Sequence, residues 1–473
     1  MPENSWTENE AYSELDPISS LLSELSEDEF DESAFFFQGL EGRRRKAALT
    51  LTILWGGTIT LHLLSWGSWF ILGLTMLLGI QALWVFLARP LKTPNPFTQE
   101  DSEDFPHVSL LVAAKNEEAV IGKLVKMLCN LDYPKHKYEL WVIDDHSTDQ
   151  TPVLLDQLAA EYNQLKVLHR PADAGGGKSG ALNNVLPLIK GEIIGVFDAD
   201  AHVTRDLLRH VLPFFNKPEV GAVQVRKAIA NASLNFWTKG QMVEMALDAY
   251  NQQQRTAIGG IGELRGNGQF VRRLALDRCG GWNEQTITDD LDLTLRLHLD
   301  NWDIRFLDSP AVEEEGVTNA VALWHQRSRW AEGGYQRYFD YWRLIASNRM
   351  GTRKTLDLFS WMLLQYLLPT AAIPDFLMAI ARNRPPLFIP LTGLAISISA
   401  IGMFGGLWRM QKNRKLTVSS IFLILLHALR GTLYILHWLV IMPATTIRMS
   451  LRPKRLKWVK TVHQGTGEES FEF

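Results

Sequence analysis

The residues of this chain that could do chemistry are carboxylates placed where apolar segments end. Asp198 and Asp200 follow the apolar run EIIGVF and flank one alanine. Residues i and i+2 of an extended chain share a face, and carboxylate oxygens are ligands that hard divalent cations prefer. The pair therefore predicts a site for Mg²⁺ (or Mn²⁺) that would neutralise a diphosphate. An isolated Asp-x-Asp pair is often only a turn, and its position after an apolar strand favours the metal.

A second pair of acids, Asp289 and Asp290, follows Thr288 just ahead of an amphipathic pattern. Thr288 could cap a helix there, and acids in a first turn favour the positive end of the helix. A carboxylate at a helix start in a cleft can also act as a general base, taking a proton from an incoming hydroxyl. The two roles are compatible.

The segment WHQRSRWAEGG places Gln326, Arg327, Arg329 and Trp330 within five residues. A planar guanidinium suits a diphosphate, and an indole offers a face on which a sugar or an acyl acceptor can rest. Without partners elsewhere in the chain, this segment would be an ordinary amphipathic helix.

Polar residues also end two predicted strands, in AAKNEE and IDDHSTD. Asn116 and Glu117 follow the first strand, and Asp144 and Asp145 end the second. The carboxyl ends of parallel strands are where such sheets bind ligands. These side chains could bond the imide edge of a uracil and the hydroxyls of a ribose, although the following STDQT could merely cap the next helix.

The segment AGGGKSGALNN, residues 174–184, has the look of a phosphate-binding loop between a strand and a helix. A Walker loop needs a glycine five residues before its Gly-Lys pair, and Ala172 occupies that position. The spacing argues against a P-loop nucleotide hydrolase.

The elements that must position these residues alternate between strands and helices. Apolar, β-rich runs separated by amphipathic segments favour a mostly parallel sheet covered by helices. The predicted strands are HVSLLVAA, YELWVID, LKVLH, EIIGVFDAD and VGAVQVRKAI.

The chain divides into five predicted parts. Residues 1–45 form an acidic tail that lacks the basic start of a secretory signal and is predicted to be disordered. Residues 46–90 are predicted to form two transmembrane helices, and residues 355–445 two or three transmembrane or interfacial helices. The globular part spans residues 105–345, and residues 446–473 form a basic tail.

The distribution of basic residues predicts on which side of the membrane the flanks of the spans lie. The cluster RRRK precedes the first apolar run, and Arg89 and Lys92 follow the second, which places both flanks and the globular part in the cytoplasm. Three spans after the globular part would put the basic tail RMSLRPKRLKWVK outside, against the same rule. The first of these runs contains Asp375 and the last Arg430, so the number of spans and the side of the C-terminus stay open.

Composition adds little. Two cysteines, Cys129 and Cys279, cannot form a disulfide framework, which indicates a reducing compartment. The net charge is −4, and no nucleic-acid partner is expected.

Taken together and in order, IDDHSTD, DAD, TDD and QRSRW resemble the motifs of the family 2 glycosyltransferases, which have the GT-A fold. The resemblance covers about half of the chain, from Val108 to Gly333. It implies an α/β, Rossmann-like domain with a mostly parallel sheet, inserted between N- and C-terminal transmembrane helices. GKSGALNN is similar to that family's Lys-x-Gly-Ala-Leu-Asn segment, and GVFD to its metal strand.

The resemblance also implies roles for single residues. Asp290 falls at the position of the general base, and Asp289 replaces the glutamate of the usual Thr-Glu-Asp motif, which leaves the base intact. The resemblance implies that Asn116, Glu117 and Asp144 bind the uridine and that Lys178 assists in the nucleotide pocket. It implies that Asp198 and Asp200 bind the diphosphate and the metal. Gln326, Arg329 and Trp330 would stabilise the leaving diphosphate and line the acceptor entrance.

The acceptor is the least certain part of the resemblance. The acidic tail, the modest membrane part and RWAEGGYQRYFDYW are similar to the cyanobacterial monoglucosyldiacylglycerol synthases, in which glucose moves from UDP-glucose to diacylglycerol in the lipid bilayer. The alternative is a processive polysaccharide synthase of the cellulose or hyaluronan type. A non-catalytic sugar-nucleotide sensor would be expected to lose carboxylates, and all of them are present. The residues themselves do not specify the sugar.

Overall fold

The structure is a computed structural model that describes Phe36 and residues 42–98, 105–411 and 417–452. The predicted disordered tail, apart from its last residues, and the basic tail beyond residue 452 lie outside the described residues.

Two helices precede the globular part, which consists of a sheet with its covering helices, and further helices follow it. The first two are α1 (Arg43–Leu63) and α2 (Gly67–Leu87). The strands are β1 (Val108–Ala114), β2 (Tyr138–Asp144), β3 (Leu165–His169), β4 (Ile193–Phe197), β5 (Val220–Ile229), β6 (Gln269–Arg272) and β7 (Asp303–Glu314). The helices of the globular part are α3 (Ile121–Cys129), α4 (Thr151–Glu161), α5 (Gly177–Val185), α6 (Leu207–Val211), α7 (Phe236–Ala257), α8 (Arg273–Arg278), α9 (Asp289–Leu299) and α10 (Ala320–Ala346). The last helices are α11 (Thr352–Met362), α12 (Leu368–Ala381), α13 (Ile389–Met410), α14 (Val418–Tyr434) and α15 (Trp438–Leu451).

The seven strands form one sheet in the order β3-β2-β1-β4-β6-β5-β7. All pairings are parallel except the two that β6 makes, with β4 and with β5. The predicted mostly parallel sheet is therefore confirmed. The four-residue β6 and the terminal β7 were not predicted.

The strands are apolar runs because helices cover both faces of the sheet. Leu124 of α3 and Leu155 of α4 belong to the core on one face. Leu182 of α5 and Leu293 of α9 belong to the core on the other. This three-layer arrangement brings the carboxyl ends of β1, β2 and β4 to one edge, as the register of their pairing requires.

Among the described residues, four helical stretches are long and apolar enough to cross a membrane. They are Gly67–Leu87, Thr352–Ala381, Ile389–Met410 and Val418–Leu451. Helix α1, predicted as the first span, is not among them, since its basic start, its threonines and His62 make it less apolar.

Close packing attaches the globular part to these helices. A Cβ on Gly406 of α13 would lie 2.1 Å from the carbonyl oxygen of Ala246 on α7, so only glycine allows this approach. Gln254 of α7 donates from its amide to the carbonyls of Val85, at 2.9 Å, and Ala88, at 3.0 Å, at the end of α2. It thereby satisfies acceptors that a helix end leaves free.

The basic cluster in the first turn of α1 is bound to the globular part. Arg43 forms an ion pair with Asp340 of α10, whose side chain is fully buried, and donates 2.7 Å to the carbonyl of Gln285. Lys46 donates 2.8 Å to the carbonyl of Phe339.

We predict that Arg43→Ala lowers thermal stability in detergent, because it leaves the Asp340 carboxylate buried without its partner. Removing one member of a buried pair costs about 3–5 kcal/mol. Arg45→Ala is the matched control, because this substitution removes the same charge from an exposed position. Equal melting temperatures for the two variants would contradict the assignment.

Candidate active site

The candidate active site is a cleft of about 1020 Å³ at the carboxyl ends of the strands. Its lining joins polar residues of the globular part to apolar residues of α12, α13 and α15. Predicted site residues that line it are Glu117, Lys178, Asp198, Asp200, Asp289, Asp290, Gln326, Arg329 and Trp330.

Asp198 and Asp200 lie directly after β4, as predicted. Lys178 at the start of α5 donates 2.5 Å to a carboxylate oxygen of Asp198. Asp200 accepts a 2.9 Å hydrogen bond from the backbone N–H of Glu315, which fixes its orientation. Burial opposes the charged form of Lys178, but the neighbouring carboxylates of Asp198, Asp289 and Asp290 outweigh it and raise the pKa of the ammonium. Lys178 is therefore a fixed positive charge in the cleft.

Arg170 holds the Gly-rich turn before Lys178. The guanidinium forms an ion pair with Asp145 at the end of β2 and donates to the carbonyls of Gly175 and Gly177. Gly176 has a φ of 80°, and a Cβ there would lie 2.3 Å from Glu284. Glycine is required at that position for both reasons.

Asn116, Glu117 and Asp144 lie at the same edge of the sheet. The carboxylate of Asp144 accepts from the backbone N–H of Ser147 at 3.1 Å and pairs with His169 at 2.9 Å. Asn116, at a φ of 54°, accepts from the N–H of Thr148 at 2.7 Å. Of the three, Glu117 lines the cleft. Uridine binding by this group stays a prediction.

Asp289 and Asp290 begin α9, after Thr288 at its N-cap. Burial, with the like charge of Asp289 second, raises the pKa of Asp290 to about 6. Its carboxylate accepts 2.8 Å from the N–H of Leu291, and Thr294 donates 2.8 Å to its carbonyl. A carboxylate with this pKa is ionised at neutral pH and still basic enough to accept a proton.

Helix α10 carries Gln326, Arg329 and Trp330 on one face, as the i, i+3, i+4 spacing requires. Arg327 does not line the cleft but contacts two residues that do: it forms an ion pair with Glu244, and its guanidinium lies 3.8 Å from the centre of the Trp330 ring. Burial lowers the pKa of Arg329, which lies within the field of Asp198.

Two glycines set how closely α10 approaches the base. A Cβ on Gly333 would lie 2.1 Å from the hydroxyl of Thr288, and one on Gly334 would lie 2.1 Å from the hydroxyl of Tyr366. One turn further on, Gln336 accepts from the N–H of Ile287 at 3.1 Å. The segment WAEGGYQ therefore holds the start of α9 against the cleft.

Lys227 and Glu314 line the cleft and were missed by the sequence reasoning. They form a 2.8 Å ion pair at the ends of β5 and β7, and the ammonium lies 5.6 Å from the centre of the Trp330 ring. A lysine within the apolar run VGAVQVRKAI was the available signal, because buried lysines need a partner.

Comparison with known proteins identifies the chain. Residues 106–333 match the family described as Glycosyltransferase like family 2. The chain is 65% identical over 474 residues to the β-monoglucosyldiacylglycerol synthase of Nostoc sp., covering 99% of this chain and 100% of that protein. It is 57% identical over 477 residues to the β-monoglucosyldiacylglycerol synthase of Synechocystis sp., covering 100% and 99%. The chain belongs to this family of glycosyltransferases.

A solved structure supports the fold. The mannosyltransferase of Pyrobaculum calidifontis, in complex with GDP-Man and Mn²⁺, aligns with 82% of this chain and 99% of its own at 21% identity, with a TM-score of 0.52. The predicted GT-A fold and the predicted glycosyltransferase class are confirmed. Such an activity implies a nucleotide-sugar donor and a lipid acceptor, and the four apolar helices indicate membrane association.

Glycosyltransferases of the GT-A fold typically use a divalent metal, and the cleft fits one. Acidic side chains outnumber basic ones in its lining, which a cation would offset. Within the described residues, no group of three His, Cys, Asp or Glu side chains forms a complete ligand set. Asp198 and Asp200 would therefore hold the ion together with oxygens of the donor phosphates.

We predict that Gly333→Ala lowers turnover by about 10- to 100-fold, since displacing reacting groups by about 1 Å costs up to that factor. The added methyl must push Thr288, and with it Asp289 and Asp290. Gly57→Ala on α1, where a Cβ meets no atom within 4 Å, is the control. Wild-type turnover of Gly333→Ala in a steady-state assay would show that this approach does not position the base.

Proposed function

We propose that this protein is an inverting glucosyltransferase that moves glucose from UDP-glucose to the free hydroxyl of 1,2-diacylglycerol, giving β-monoglucosyldiacylglycerol. The observation that carries the proposal is that one cleft is lined both by Asp290 and the charged groups around Asp198 and by apolar residues of α12, α13 and α15. The relatives named β-monoglucosyldiacylglycerol synthase support glucosyl transfer to diacylglycerol.

Asp290 takes the proton of the acceptor hydroxyl as that oxygen attacks the sugar. The hydrogen bond from the N–H of Leu291 orients the carboxylate, and burial keeps it basic. UDP-glucose carries an α linkage, and the deprotonated hydroxyl displaces UDP directly from the opposite face. Inversion to a β-glycoside follows.

The departing UDP gains negative charge as the bond breaks. A divalent cation held by Asp198 and Asp200 would offset that charge when bound. Lys178 and Arg329 add positive charge from the protein, and Lys227 lies beside Trp330 in the same cleft. Groups positioned before the reaction stabilise such charge without reorganising.

The donor nucleotide is assigned to the edge of the sheet formed by β1 and β2. Asn116, Glu117 and Asp144 would bind the uridine there, with Gln326 and Trp330 closing the acceptor side. Asp144 is fixed by Ser147 and His169 and so presents a defined oxygen edge.

Incubation of purified protein in micelles with several UDP-sugars, with and without diacylglycerol, tests the proposal. The expected product is one glucose on one lipid, extractable into organic solvent, in an amount that follows the diacylglycerol supplied. A polymer of many sugars formed without diacylglycerol would instead support a processive synthase.

We predict that Asp290→Asn lowers turnover by about 10² to 10⁴ and leaves UDP binding unchanged. In the wild type, kcat/KM should rise with pH through about 6, as Asp290 loses its proton. Asp289→Asn removes a like charge and lowers the pKa of Asp290, so the rise of kcat/KM with pH, the acid limb of the profile, should move to lower pH. Asp289→Glu keeps the charge and should keep both the limb and the activity. A limb unmoved by Asp289→Asn would contradict the assignment of the base.

The catalytic part is proposed to face the cytoplasm. Arg43 and Lys46 at the start of α1, and Lys354 at the start of α11, all contact the globular part, and basic residues mark cytoplasmic flanks. The stretch α14–α15 also contacts it near both ends, through Ile424 and through the ion pair of Arg448 with Glu332. An interfacial position of that stretch would leave the basic tail in the cytoplasm.

A cysteine introduced at Ser26, in the acidic tail, should resist an impermeant maleimide in spheroplasts. One at Ser65, between α1 and α2, should react. Both native cysteines are buried and give little background. Labelling of Ser26→Cys without labelling of Ser65→Cys would show that the orientation is opposite to the one proposed.

A further inference from the structure

The cleft has a second arm that extends from the base into the membrane helices. One wall is a stripe that runs from the end of α11 through the π-helical turn (Leu363–Leu367) into α12. The stripe comprises Trp361, Leu364, Leu368, Ala372 and Phe376. Residues three or four apart share one face of a helix, so the stripe is continuous.

The opposite wall is a matching stripe on α13. It comprises Ile389, Thr392, Gly393, Ile396 and Ser399, which are three residues apart except for the adjacent Thr392 and Gly393. Asp375 is the one charged residue among the cleft-lining residues of α12 and α13, and its carboxylate is bound by His62 and by the backbone N–H groups of Leu387 and Phe388. The rest of this lining is uncharged, which distinguishes the arm from the part around Asp198. A growing sugar chain would need polar partners along such a path, and hydrocarbon would not.

The arm opens sideways. Phe376, Ile389 and Ile396 line it and are 61%, 53% and 38% exposed. They lie on two of the helices that are long and apolar enough to cross a membrane. The opening therefore faces the hydrocarbon of a bilayer.

The border between the two parts of the cleft lies at Trp438 of α15. Its indole N–H donates 3.1 Å to Glu244, whose other oxygen pairs with Arg327 beneath Trp330. An amphipathic indole at this position marks where polar surroundings give way to apolar ones.

We infer, resting on the proposed function, that the diacylglycerol acceptor enters from the bilayer between α12 and α13. Its acyl chains lie along this arm, and its free hydroxyl passes Trp438 to reach Asp290. The arm thereby selects for long acyl chains, since apolar contact grows with each methylene buried.

Gly393 provides a direct test. A Cβ at this position meets no atom within 4 Å, and the residue lies in the middle of the α13 stripe, so a larger side chain has open space at the wall of the arm. Gly393→Trp should raise the KM for dioleoylglycerol by about tenfold or more, as lost apolar contact weakens binding. The KM for dihexanoylglycerol and the affinity for UDP should stay near those of the wild type.

Gly73→Trp on α2 is the matched control. Gly73 is exposed, a Cβ there also meets no atom, and it does not line the cleft. It should behave as the wild type with both acceptors. Ala372→Leu, on the facing wall, adds a smaller group and should give the same separation of long and short acceptors if Gly393→Trp fails to fold.

Equal KM values for dioleoylglycerol in Gly393→Trp and Gly73→Trp would overturn the inference, and so would equal losses with both acceptors in a folded variant. Neither result touches the proposed function, which fails only if the wild type transfers no glucose to any diacylglycerol.

Discussion

The close approach of α10 to the start of α9 is the constraint on which the site depends. Gly333 allows contact with Thr288, and Gly334 allows contact with Tyr366 between α11 and α12. Helix α10 therefore carries Gln326, Arg329 and Trp330, which line the cleft, and it contacts both the start of α9 and the membrane part. A methyl group at Gly333 would push α10 away from Thr288, and one at Gly334 would push it away from Tyr366.

Charge is arranged around the same helix. Arg337 of α10 forms a buried ion pair with Glu263, which also pairs with Arg265 beside the cleft, at 2.7 Å. Arg255 completes the cluster through Asp357 of α11. Buried charges need such partners, because an unpaired one is costly. Arg265 of this cluster acts on Asp290 and opposes the rise in its pKa, which burial and the charge of Asp289 cause.

Much of this could be predicted from the sequence, because strands covered on both faces read as apolar runs and their carboxyl ends collect the reactive residues. Asp198 and Asp200 were predicted by that logic, whereas Asp290 was predicted from its position at the start of an amphipathic helix. The short β6 and the β7 segment, which contains Pro310 and several charges, lack an apolar run and were missed. Lys227 was missed because its partner, Glu314, is distant in sequence, and only the fold joins them.

The membrane part was the least predictable. Apolar length predicts helices but not which of them line a cleft, since that depends on how they pack. The arm between α12 and α13 follows from tertiary contacts. Nothing in the sequence around Gly393 indicates that this residue lines a cleft. The proposal that a soluble donor and a membrane acceptor meet at Asp290 therefore rests on the structure.

The anomeric configuration of the product tests the central claim most directly, because direct displacement at one base fixes it. NMR of the glycolipid formed from UDP-[¹³C]glucose and diacylglycerol should show one glucose per lipid, in the β configuration. An α-linked product would contradict direct displacement and the role of Asp290.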